Sequence, residues 1–165
     1  MVSKQKNLSA VDDLSIPDAS SMRIGIVSAG WNKDVTNALL DGAFNTLKRY
    51  GASGENIPVH YVPGSFELPQ GAALMIDNLQ LDAVICLGSI IQGETRHFEF
   101  IAQAVSRGCM NLGIQTNIPV IFGVLTTDTY DQALQRAGGK HGNKGDEAAV
   151  SAIQMAALAQ KLKAR

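Results

Sequence analysis

The chain has only two cysteines, Cys86 and Cys109, among its 165 residues. Two thiols are too few for a disulfide framework, and both fall in apolar segments, so buried, reduced side chains are expected. No apolar run approaches the roughly 20 residues of a membrane span, and Met1 to Asp13 lack the apolar stretch of a secretory signal. A soluble cytoplasmic protein is the expectation. A basic surplus is missing too: the net charge is −1, with no electrostatic footprint of a nucleic-acid binder. Neither a G-x-G-x-x-G nor a Walker pattern occurs, so no nucleotide phosphate is signalled. The G-x-S-x-G elbow is absent, since Gly88-Ser-Ile-Ile-Gln lacks its second glycine. The three histidines are scattered and no ligand set has zinc spacing, so no metal is expected.

What remains is a globular composition, 45% hydrophobic and 18% charged, of a length suited to one domain with a real core. Residues 1–22 are rich in Ser, Asp, Lys and Asn and read as an N-terminal arm outside the core; residues 23–165 read as the domain. Arg23 to Ser28 is a short apolar run closed by Ala29-Gly30, which predicts a buried strand. Asp34 to Tyr50 has helical spacing, with Val35, Leu39, Ala43 and Leu47 on one line, and Gly51 stops it. Pro58 to Val62 is a second strand, and a helix follows over Glu67 to Leu79. Asp82 to Gly88 is a third apolar run. Thr95 to Leu112 reads as a long helix with a stripe of Phe98, Ile101, Ala102, Val105, Cys109 and Leu112. Pro119 to Leu125 is the fourth strand, Tyr130 to Ala137 a short helix, 138–145 a glycine-rich loop, and 146–163 the last helix. The order β-α-β-α-β-α-β-α-α with near-continuous apolar strands implies a parallel sheet covered on both faces. The fold class is α/β: a flavodoxin-like three-layer α/β/α sandwich with a four-stranded parallel sheet and an extended N-terminal arm.

Ligands of such sheets bind beyond the carboxyl ends of the strands. That rule selects Ala29 to Asn32, Pro63 to Glu67, Gly88 to His97, and Leu125 to Asp128. Trp31, the single tryptophan, is either a staple on the sheet edge or a stacking platform for a flat ring. Pro63-Gly-Ser-Phe-Glu-Leu-Pro69 is either a well-made turn or a set of outward-pointing amides before a helix. His97 falls in the first turn of a helix, whose positive end disfavours imidazolium. It is either a surface or capping histidine or a neutral imidazole that accepts and returns a proton. Thr95 and the free amides opening the same helix suit an anion, while the Glu94 carboxylate opposes one. Arg136 and Lys144 are either surface cations or phosphate contacts. Asp146 and Glu147 occupy the start of the last helix and argue against an anion at that terminus.

Four stretches together resemble the lumazine synthase family over about residues 22–163: Pro63 to Pro69, Gly88 to Phe100, Pro119 to Thr127, and Arg136 to Ala149. In this order they are highly specific. The resemblance implies condensation of 5-amino-6-(D-ribitylamino)uracil with 3,4-dihydroxy-2-butanone 4-phosphate to 6,7-dimethyl-8-ribityllumazine, with loss of phosphate and water, in riboflavin biosynthesis. It implies no metal and no organic cofactor. By the same resemblance, Trp31 stacks on the pyrimidine and Ser65, Phe66 and Glu67 hold the ribityl chain. Ser89, Ile90 and Ile91 read the pyrimidine edge. Glu94, Thr95, Arg136 and Lys144 surround the phosphate, His97 is the acid/base residue, and Phe122 enters from a neighbouring subunit. Trp31 stands where Phe or Tyr is more usual, Glu94 where a small residue is common, and Arg96 is also less usual. The partners implied are the two small substrates and further copies of the chain, as a pentamer or as a sixty-subunit icosahedral shell of twelve pentamers. The short segment 138–145 resembles the shell-forming members. The alternatives are an archaeal-type riboflavin synthase and a non-catalytic flavin or lumazine carrier.

Overall fold

The computed structural model describes residues 9 and 15–164. The domain alternates strand and helix as expected: β1 (Ile24–Ala29), α1 (Lys33–Arg49), β2 (Val59–Val62), α2 (Leu68–Asn78), β3 (Ala83–Ile91), α3 (His97–Thr116), β4 (Val120–Thr127) and α4 (Tyr130–Arg136). A hairpin of β5 (Ala137–Gly139) and β6 (Gly142–Asn143) then leads into α5 (Lys144–Lys163). The main sheet is parallel, with strand order β2-β1-β3-β4. β1 and β3 are central and wholly apolar or small along their shared length, as strands covered on both faces must be.

Side-chain alternation sends each strand's residues to two separate cores. Ile24, Ile26, Ala83, Ile85 and Leu87 face Val35, Leu39, Ala43 and Leu47 of α1 and the alanine-rich face of α5. Val27, Val84 and Cys86 face Leu68, Ala72 and Met75 of α2 and Val105 and Cys109 of α3. Each fully buried Leu or Ile removed from water contributes about 2 kcal/mol. Both cysteines are buried and free. Burial and the Cys109 thiol beside it push the Cys86 thiol up, chiefly through their hydrogen bond, and the same bond draws Cys109 down.

Four local expectations change. Ala19 and Met22, expected in an arm outside the core, are buried against α1 and the sheet; apolar side chains this close to the first strand gain more from packing than from water. Within the arm, residues 1–8 and 10–14 lie outside the described residues. The expected loop 138–145 is the tight hairpin β5–β6, with Gly138 and Gly142 at positive φ supplying its bends. β3 runs three residues past the expected Gly88, so Ser89, Ile90 and Ile91 are strand. α3 starts at His97 rather than Thr95 and continues to Thr116. Its expected stripe does face the sheet, but Phe100, Met110 and Ile114 project from other sides and are exposed.

Candidate active site

The strand order creates a switch point between β1 and β3, because the chain leaves β1 toward β2 and later returns to its other side. A crevice opens there above the carboxyl ends of the strands. Its floor is unequal. Ser28 pairs with Leu87, and β1 ends one residue later at Ala29, whereas β3 continues to Ile91. In a parallel strand successive residues point their main-chain groups to opposite neighbours. Gln92 N–H bonds Thr127 on the β4 side, so Ser89 and Ile91 turn toward the side that β1 has vacated. The Asn32 side-chain amide donates to the Ser89 carbonyl there at 3.1 Å. The Ser89 hydroxyl is buried without a hydrogen-bond partner, which is costly for a polar group unless something else supplies the bond.

Two turns wall this crevice. After β1, Trp31 is 71% exposed; a staple on the sheet edge would bury its ring. The indole leans on Gly64, where a Cβ would stand 3.1 Å from Trp31 Cδ1 and 3.2 Å from Glu67 Oε2, so a side chain at 64 would displace one or the other. After β2, residues Ser65–Glu67 form a short 3-10 turn before α2. The Glu67 carboxylate accepts from Gly64 N–H at 3.0 Å and fastens that turn. Ser65 is buried against the β3 exit: a Cβ at Gly88 would come within 2.6 Å of the Ser65 hydroxyl oxygen. Phe66 stays exposed. Trp31, Ser65–Glu67 and Ser89–Ile91 thus converge from three elements on one crevice.

His97 is the first residue of α3 and is exposed, and its N–H donates to the Thr95 hydroxyl at 3.4 Å. The segment Gly93–Arg96 before it is exposed as a whole, Glu94 and Thr95 included. Tyr130, at the start of α4, donates its hydroxyl to the Asp34 carboxylate at 3.0 Å, a bond that raises the phenol's pKa.

Arg136 and Lys144 lie elsewhere. Arg136 ends α4 and forms an ion pair with Glu147 at 2.8 Å, while its other guanidinium nitrogen donates to the His141 carbonyl at 2.7 Å. Lys144 reaches the second oxygen of Glu147 at 3.2 Å. One carboxylate therefore holds two cations, and the trio keeps one net positive charge. The Asn143 amide ties the hairpin to α1 by donating to the Ala38 carbonyl at 2.8 Å, and the Ser9 hydroxyl donates to the Asn143 carbonyl at 3.0 Å. Asp146 bonds Thr46 at 3.2 Å, and burial raises its carboxyl pKa. This cluster sits with the helices covering the α1/α5 face, whereas His97 heads a helix of the α2/α3 face. Phe122 lies half-buried in the middle of β4, also on the α3 side. Glu147 is one of the two carboxylates, with Asp146, that the sequence sets against anion binding; its i, i+3 spacing from Lys144 was visible, but its grip on Arg136 requires the hairpin.

A prominent apolar groove among the described residues lies away from this crevice. It measures about 730 Å³ and lies at the opposite end of the sheet, between α3, α5 and the start of β4, lined by Met110, Ile114, Val120, Met155, Leu158 and Leu162. Its lining is apolar and offers little to bind polar substrates.

Fold and crevice together define a flavodoxin-like α/β enzyme whose polar groups collect at the switch point of a parallel sheet. The chain belongs to the 6,7-dimethyl-8-ribityllumazine synthase family, whose model matches residues 21–160. It is 53% identical over 155 residues to the 6,7-dimethyl-8-ribityllumazine synthase of Parabacteroides distasonis, covering 94% of this chain and 97% of that one. The synthase of Cytophaga hutchinsonii is 53% identical over 157 residues, 95% and 98% of the two chains, and that of Phocaeicola vulgatus 47% over 162 residues, 98% and 96%. The reaction is the condensation of 5-amino-6-(D-ribitylamino)uracil with 3,4-dihydroxy-2-butanone 4-phosphate in riboflavin biosynthesis.

Proposed function

We propose that the reaction centre is composite, with a pyrimidine half built at the β1/β3 crevice of one chain and a phosphate half built around Arg136 of a neighbouring chain. The observation that carries this reading is the separation of His97 and the Arg136 cluster onto opposite faces of the sheet. In the first half, Trp31 stacks on the uracil, the Ser89–Ile91 segment reads its edge through the main chain of Ser89 and Ile91, with Ile90 held between them by β4, and Ser65, Phe66 and Glu67 hold the ribityl chain. An exposed aromatic beside vacated main-chain groups suits a flat, edge-polar ring. In the second half, Arg136 and Lys144 bind the phosphate dianion, pre-oriented by Glu147. Thr95 and the amides before α3 supply further donors, Glu94 contributes through its backbone only, and Phe122 comes from the neighbouring chain. His97 moves the protons. Holding both substrates in one geometry supplies much of the acceleration.

The assembly in this reading is a pentamer built into a sixty-subunit shell, and the place of work is the cytoplasm. Phe100, Met110 and Ile114 are exposed on α3, and Met110 and Ile114 also line the apolar groove; unpartnered apolar side chains on one helix support further copies packing there. The tight β5–β6 hairpin, with no insertion between α4 and α5, favours the shell. From the chain mass of 17.5 kDa, light scattering is expected to give about 1 MDa for the shell; about 88 kDa would leave the pentamer alone.

Trp31→Ala is expected to raise the KM of the ribitylaminouracil about tenfold, by the about 1–1.5 kcal/mol of lost stacking. The KM of the butanone phosphate should stay unchanged. Steady-state kinetics with each substrate varied in turn checks this, and equal KM values for mutant and wild type would remove Trp31 from the pyrimidine site.

A further inference from the structure

Asn32 follows Trp31 and holds φ at 56°, in the left-handed region that L residues enter only at a cost. Its side chain makes no cap bond to the helix it precedes. Were only the turn at stake, glycine would adopt it more cheaply. The side-chain amide instead crosses the crevice to the Ser89 carbonyl, where β3 has outrun β1. The turn is tied on its other side by Gly30 N–H to the Val62 carbonyl at 2.8 Å. Gly30 thus fastens the turn to β2, and Asn32 fastens it to β3.

We propose that Asn32 is a positioning residue for the pyrimidine. It acts through the Ser89 carbonyl, fixing the spacing between the Trp31 ring and the main-chain edge of Ser89–Ile91. It rests on reading those groups as the pyrimidine site. Stacking and edge hydrogen bonds act on one rigid ring, so both are made fully only when platform and edge keep a fixed separation. Asn32 provides the hydrogen bond that a longer β1 would have given to β3, and it does so before any substrate arrives. Its loss should therefore loosen the free protein at 88–92 and weaken the pyrimidine, while leaving proton transfer and phosphate binding alone.

Two substitutions test this. Asn32→Gly keeps the left-handed turn and removes the amide. Asn32→Asp keeps the shape and sets a carboxylate against a carbonyl oxygen. For Asn32→Gly the KM of the ribitylaminouracil is expected to rise about tenfold, the scale of one hydrogen bond, and for Asn32→Asp by more. The KM of the butanone phosphate and kcat should stay within about twofold. In the substrate-free enzyme, amide hydrogen exchange over 88–92 should be several-fold faster in Asn32→Gly; a residue that only touched substrate would leave that exchange unmoved. If Trp31→Ala weakens the pyrimidine but Asn32→Gly changes neither KM nor exchange, the positioning role is overturned and the pyrimidine site stands. If Trp31→Ala has no effect on the pyrimidine, the site reading itself falls and the proposal with it. A rise in both KM values, or a fall in kcat alone, also overturns it.

Discussion

His97→Ala is expected to lower kcat by about 10²–10⁴-fold, the usual contribution of a positioned general acid–base group, with KM values little changed. The reaction gives one histidine several tasks at neighbouring atoms. The amine of the uracil adds to the ketone, and water must leave as the imine forms. A carbon-bound proton must then be removed for phosphate to depart, and ring closure expels a second water. Each step needs a group that both accepts and returns a proton near neutral pH, which suits imidazole. The side chain is exposed at the first position of α3 and packs against no core, so truncation should leave thermal unfolding unchanged. The substrates remain held together in the variant, so a residual rate above the spontaneous one should persist. Following phosphate release and lumazine absorbance together checks this. A kcat within a few-fold of wild type would show that proton transfer passes through solvent or another group.

Mixing two impaired variants should restore activity. Arg136→Ala removes the guanidinium that Glu147 and the His141 carbonyl hold in place, and on its own should lower kcat/KM for the butanone phosphate by about 10²-fold or more, the cost of losing a charge-assisted pair to a dianion. If each reaction centre takes His97 from one chain and Arg136 from its neighbour, co-assembled His97→Ala and Arg136→Ala chains contain some centres with both native groups. Random mixing in equal amounts makes this about a quarter of centres. The experiment is refolding or co-expression of the two variants, with activity compared to each alone. Recovery toward a quarter of the wild-type rate supports the composite centre. No recovery in a mixed assembly would place both groups in one chain's site.

Much of this was legible in the residues. The apolar runs at 23–28, 82–88 and 119–125 became β1, β3 and β4, and the line Val35, Leu39, Ala43, Leu47 became the buried face of α1, because burial on a sheet or helix leaves a period in the sequence. The rim segments were found by the same route, since each follows a strand. The motif stretches that carried the family resemblance fall within the matched region. Other features were not legible. Residues 89–91 lie past the expected strand end at Gly88 but are strand, because β4 pairs with them. The hairpin looked like a glycine-rich loop, and Glu147 looked like a helix-start carboxylate.

The sequence by itself determined the order of elements, the parallel sheet, the two-faced core and the family. These depend on periodicity and short-range preference, which each segment carries alone. Tertiary structure decided that β3 outruns β1 at the switch point, that Asn32 spans 57 positions to reach Ser89, that one carboxylate holds Arg136 and Lys144, and that this cluster and His97 lie on opposite faces. Such pairings depend on where strands end relative to one another and on which elements pack together. No local pattern encodes that, because the free energy that selects it arises only when distant segments share one core.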